Sequence, residues 1–170
     1  MRNIFTILFI GCLTLLITGC DKGIEPASAE PTGFSGTVTF KGDWPAGITR
    51  THLVVFNHLL QSSADFSQLN ISFVSNPIQY GSNSYSFNSL NDSFTSIFQV
   101  IPGDYRYIAV AQSTTPDLSF DRKDWVVVGV YTTSGDQSKP GIMTIRDGVI
   151  TPGIDINVDF NNPPPQPPEN

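Results

Sequence analysis

Past position 20 the sequence has no cysteine, and from residue 31 to residue 168 it has no glutamate; Glu25, Glu30 and Glu169 all fall in the outer segments. The first absence excludes a disulfide framework, a thiolate zinc site and a cysteine nucleophile, so the core of the domain must hold the fold unaided. The second leaves only aspartates to act as the facing carboxylates of a glycosidase, and these fall mostly in turns. Ser, His and Asp are present without a Gly-x-Ser-x-Gly elbow. Positive charge is also scarce, with 9 Lys and Arg against 15 Asp and Glu and no clustered basic patch, which argues against nucleic acid as a partner. No cofactor motif is present. The composition therefore points to a protein that is not an enzyme.

What the chain does have begins at its start. A charged Met1-Arg2-Asn3 precedes an apolar run from Ile4 to Ile17. That run is shorter than the ~20 residues a spanning helix needs and has the form of a secretory leader. It ends in Leu16-Ile17-Thr18-Gly19-Cys20, which resembles the lipobox of bacterial lipoproteins: aliphatic, polar or small, small, then cysteine. The resemblance implies a signal peptide over residues 1–19, with a helical apolar segment, and acylation of Cys20 before cleavage. Each buried methylene of an acyl chain contributes ~0.8 kcal/mol, so two or three chains hold a protein durably on a membrane. The expected location is the bacterial cell envelope, lipid-anchored to a membrane. Asp21 resembles the enterobacterial inner-membrane retention signal, a rule other bacterial groups do not share, so inner and outer membrane both stay open. Losing Arg2 with the leader takes the formal net charge from −6 to −7.

Residues 20–32 are polar, interrupted by Pro26 and Pro31, and read as a flexible tether. Residues 161–170 (NNPPPQPPEN) read as a proline-rich disordered tail, with docking to a groove-type partner as the other possibility. Between them, residues 33–160 form one domain with period-two patterning. Phe34, Gly36, Val38 and Phe40 alternate with polar residues at one end, and Ile154, Ile156, Val158 and Phe160 at the other. Further strands are expected at residues 51–56, 69–75, 84–90, 93–101, 105–112, 125–132 and 141–146. Turn residues separate them, among them Pro102-Gly103-Asp104, Ser134-Gly135-Asp136 and Pro152-Gly153. Strands of this number and length predict an all-β fold, an antiparallel β-sandwich of about seven to nine strands, immunoglobulin-like or prealbumin-like. A small closed barrel is the alternative.

Phe34-Ser35-Gly36-Thr37-Val38-Thr39-Phe40, followed by Val100-Ile101-Pro102-Gly103-Asp104-Tyr105 leading into Arg106-Tyr107-Ile108-Ala109-Val110, resembles the carboxypeptidase-regulatory-like family of transthyretin-type sandwiches. Its marks are Gly-x-Val in the first strand and a Pro-Gly-x-Tyr turn entering a core strand. Asp147 to Ile156 is similar to that group's closing element, and the resemblance covers roughly Phe34 to Phe160. The middle, from Asn57 to Asn91, is longer and richer in Ser and Asn than the compact family pattern. The resemblance implies a non-catalytic accessory domain and supplies no active-site residue.

Three groups of residues invite chemistry. His52 and His58 flank one strand and, lacking a third ligand, read as edge positions rather than a metal site. Asp117, Asp121 and Asp124 lack calcium-loop spacing and read as a solvated loop. Aromatic residues offer the one lead on a ligand. Trp125, Val127, Gly129 and Tyr131 are expected on one face of a strand with Val126, Val128 and Val130 on the other, and Trp44 lies in a turn. Flat rings beside Ser, Asn and Asp suit a sugar, so Trp44, Trp125 and Tyr131 are candidate glycan-binding residues. The expected role is a non-catalytic binding, adhesion or structural module whose partner is a glycan or an envelope protein.

Overall fold

The structure is a computed structural model that describes residues 31–168. The leader, Cys20 and residues 20–30 lie outside the described residues. Ten strands follow one another: β1 (Gly33–Lys41), β2 (Arg50–Phe56), β3 (Ile71–Val74), β4 (Ser84–Asn88), β5 (Gly103–Tyr105), β6 (Tyr107–Ser113), β7 (Val126–Val130), β8 (Met143–Ile145), β9 (Ile150–Thr151) and β10 (Ile156–Asp159). Among the described residues no helix is long and apolar enough to cross a membrane.

Two sheets face each other. One has β1 at its centre, antiparallel to β4 and parallel to both β9 and β10; the other runs β3-β2-β6-β7, antiparallel throughout. A two-stranded ribbon, β5-β8, stands beside them. The expected sandwich is present, but the first and last strands pair in parallel. The closing segment runs alongside β1 in two pieces, broken at Pro152-Gly153, and approaches so closely that a Cβ on Gly36 would lie 2.2 Å from the carbonyl oxygen of Ile154. Only glycine permits that approach.

The alternation of the terminal strands holds. Phe34, Val38 and Phe40 from β1 and Ile154, Ile156 and Val158 from the closing segment turn inward onto Leu53, Val55, Phe73, Ile108 and Val110 from the facing sheet. The Phe34 ring meets Phe73 and Phe87 edge-on at 5.0 and 5.8 Å. At the Pro-Gly-x-Tyr turn the buried Tyr105 phenol donates to the carbonyl of Ile101 and accepts from its N–H, at 2.8 and 2.9 Å.

Three expectations are overturned. Residues 93–101 are a loop, joined to β3 by a Ser75–Ser93 bridge and a bond from the Phe94 N–H to the Val74 carbonyl, and to β5 through Ile101 and Tyr105. Their apolar residues, Phe94, Ile97, Phe98, Val100 and Ile101, include two adjacent pairs, which a pleat would send to opposite faces. The two faces expected of β7 are also broken. Ala111 pairs with Val127 but Val110 pairs with Gly129, so Val128 is an extra residue in a β-bulge. Val127 and Val130 therefore point outward while Val128 and Tyr131 join the core, and Val126 is 53% exposed. Lastly, the proline-rich segment is laid against the edge of β7 as far as Pro168, with Pro164 and Pro167 buried. The Gln166 amide replaces a neighbouring strand there. Its Oε1 accepts from the Val127 N–H at 2.9 Å and its Nε2 donates to the Val127 carbonyl at 2.8 Å.

Candidate ligand cavity

The sheet β3-β2-β6-β7 is apolar on both faces. All seven residues of β6 are buried, and the outward row of β2 and β6 is Phe56 with Tyr107, then Val54 with Ala109, then His52 with Ala111. Four residues of strand separate the first pair from the last, about 13 Å. Large residues stand at one end of this floor and His52 at the other, with two alanines on the middle strand. Loops 57–70, 92–101 and 114–125 roof the floor without filling the space above the alanines. The result is a cavity of about 360 Å³. That lies within the ~300–1,000 Å³ of small-molecule sites and is more than twice an apolar void able to hold benzene.

The walls are hydrocarbon and aromatic. Leu60 and Phe66 come from the first loop, Phe94, Ile97 and Phe98 from the second, and Leu118, Phe120 and Trp125 from the third. Phe94, Ile97, Leu118 and Phe120 are also exposed, Ile97 to 82%, so an apolar rim surrounds the mouth. Contiguous apolar surface of this kind marks a site of interaction. Each loop is pinned by its own polar contacts. The Asp65 carboxylate accepts from the N–H groups of Gln61 and Ser62 at 2.9 and 2.8 Å, and these bonds hold its carboxyl below the usual value. In the third loop Trp125 Nε1 donates to the Ser119 carbonyl at 2.9 Å, and the Ser119 hydroxyl donates to Asp124.

Gln68, Thr95 and Ser119 also border the space, and two buried polar side chains, His52 and Arg122, interrupt this wall. His52 is fully buried rather than at an edge, because β3 and β6 flank its strand. Its Nδ1 donates to the Ser75 carbonyl at 2.9 Å, and Nε2 has no partner among the described residues. Burial depresses its pKa, partly opposed by the Ser75 bond and reinforced by Arg50. The ring is therefore neutral at pH 7, with Nε2 a bare acceptor. Phe94 and Trp125 meet it edge-on, at 5.5 and 6.1 Å between ring centres. The second is Arg122, on a 3-10 turn at Arg122–Asp124 and also buried.

Comparison of the chain with protein-family models, curated proteins and solved structures finds no match in any of the three.

The aromatic trio is not brought together. Trp44 is half-buried against Phe40, Tyr80 and Phe160, with ring centres 4.7 to 5.3 Å away, and its Nε1 donates to the Ser82 carbonyl. Tyr131 packs on the sandwich core beside Gly141. Trp125 alone belongs to the cavity. His58 is exposed, as are Asp117 and Asp121. Most of the cavity's residues escape a reading by period, because its lining comes chiefly from loops. The available signal was the unbroken apolar runs Leu53-Val54-Val55-Phe56 and Ile108-Ala109-Val110-Ala111, which mark strands covered on both faces.

Proposed function

We propose that this chain is a non-catalytic, lipid-anchored envelope protein whose domain binds an apolar small molecule in the cavity over the outer face of β3-β2-β6-β7. The observation that carries the reading is the roofed cavity of about 360 Å³ with an apolar rim. Folding gains nothing from leaving such a space above two alanines, since filling it would bury more surface. The envelope location rests on the lipobox and Cys20. The carboxypeptidase-regulatory-like ancestry rests on the first-strand motif and on the Pro-Gly-x-Tyr turn, where Tyr105 grips Ile101. Recognition of a glycan through Trp44, Trp125 and Tyr131 has less support, since two of the three rings are spent on core packing.

Trp44 and Trp125 are the two tryptophans of the chain. A Trp44→Phe variant thus makes Trp125 the reporter of the cavity. Titration with dodecanol below its micelle concentration is expected to shift Trp125 emission saturably; an unchanged spectrum across a series of alkyl alcohols would refute the reading. Mass spectrometry of the native N-terminus checks the anchor, with a diacylated or triacylated Cys20 expected.

A further inference from the structure

We propose that the ligand of this cavity is a carboxylate-headed amphiphile, a fatty acid in chemical class, and that Arg122 is the residue that reads its head; this rests on the cavity being a ligand site. Arg122 borders the cavity and is only 6% exposed. Its Nη1 donates to the carbonyl of Trp125 and its Nη2 to that of Pro167 at 2.9 Å, while Nε has no partner among the described residues. The two described ion pairs, Lys41–Asp159 and Lys139–Asp136, lie elsewhere. Of the acids beside it in the chain, Asp121 is exposed and Asp124 is engaged by Ser119. Among the described residues the guanidinium is thus a buried cation whose charge meets only carbonyl dipoles.

Burying an ion without a counter-ion is costly, and a guanidinium is shaped to receive a carboxylate through its donor fork. If Arg122 served only to tie down the C-terminal segment, a neutral donor would do the same without that cost. An anionic head group completes its charge, and the remaining walls, mostly hydrocarbon and aromatic, favour an apolar body for the rest of the ligand. Tyr107 borders the same cavity, close enough to Arg122 that the guanidinium opposes the upward push of burial on its phenol. Scaling from benzene in a ~150 Å³ void, the cavity holds a body of about 14 carbons.

The test is calorimetric titration of the full chain carrying Cys20→Ser, using dodecanoate, dodecanol and dodecylammonium below their micelle concentrations. Dodecanoate is expected to bind about tenfold or more tighter than dodecanol, as for a hydrogen bond to a charged partner, with dodecylammonium weakest. Arg122→Met should lower dodecanoate affinity to that of dodecanol while leaving dodecanol unchanged, and Arg122→Lys should keep part of the preference. Equal binding of acid and alcohol to the unsubstituted cavity overturns the proposal, as does an acid preference that survives Arg122→Met. Should Arg122→Met fail to fold, the three-ligand comparison on unsubstituted Arg122 and the Arg122→Lys variant decide. Failure of both acid and alcohol to bind overturns the cavity reading itself.

Discussion

Ala111→Leu separates a true cavity from a packed cluster by the sign of its effect. Ala111 is on β6 at the His52 end of the cavity floor, beside His52 on one strand and Val127 on the other. Leucine adds three carbons, which at ~0.8 kcal/mol per buried methylene are worth about 2.4 kcal/mol. Ordering its side chain takes back roughly 0.5–1 kcal/mol, leaving a net gain of about 1.5 to 2 kcal/mol. For a chain of this length that raises Tm by roughly 3–8 °C, measurable by scanning calorimetry. In a close-packed core the same insertion costs ~1–3 kcal/mol, because neighbours are forced off their rotamers. A lowered Tm would therefore mean that the space above Ala109 and Ala111 is already filled, and the ligand reading would fall with it. Dodecanol binding should weaken in the same variant, since stability is gained at the expense of the site.

His52 predicts a pH dependence. Its folded pKa is depressed below 6.5, so between that value and the lower folded one the unfolded chain binds the proton that the folded chain refuses. Stability is then present above about pH 6.5 and falls on acidification, by up to ~1.4 kcal/mol per pH unit. Urea unfolding between pH 5.5 and 7.5 should show this slope, and His52→Gln, which keeps a donor for Ser75, should flatten it; an equal slope in both would exclude His52 as the source. Gln166→Ala removes both side-chain bonds to Val127 and is expected to cost about 1–2 kcal/mol. It also bares the β7 edge, so sedimentation should detect self-association, and unaltered stability would show that the C-terminal segment does not hold the edge.

The sandwich was legible where one face of a strand is wet. In β1 and the closing segment, polar residues alternate with Phe34, Val38, Ile154 and Val158, and period two reports burial directly. It failed where both faces are dry or where the chain leaves the pleat. In β7 one bulged residue, Val128, exchanges the faces on either side of it, and no local composition marks the insertion. Loop 92–101 carries enough Phe, Ile and Val to pass for a strand, yet its role is to cover one. The proline segment was the hardest to read. Its docking depends on one glutamine reaching a backbone edge 39 residues away in sequence, a contact that no local pattern encodes. Of the candidate residues, Trp125 reached the site for a reason other than its sugar-like surroundings. Arg122 passed unnoticed as one charge in a polar loop.

The two dry faces of β3-β2-β6-β7 explain why a cavity exists here at all. A strand buried on both sides needs a second cover, and this chain builds it from loops rather than from a helix or a third sheet. Each loop has its own polar anchor: Asp65 to Gln61 and Ser62, Phe94 to Val74, Asp124 to Ser119, and Arg122 to Pro167. None of those anchors reaches over Ala109 or Ala111. A loop held by such bonds can settle onto the floor only by giving some of them up, at about 0.5–1.5 kcal/mol each. The same anchors place at the cavity wall a cation with no counter-ion among the described residues, and it is this pairing of hydrocarbon wall and buried charge that the proposed anionic amphiphile matches.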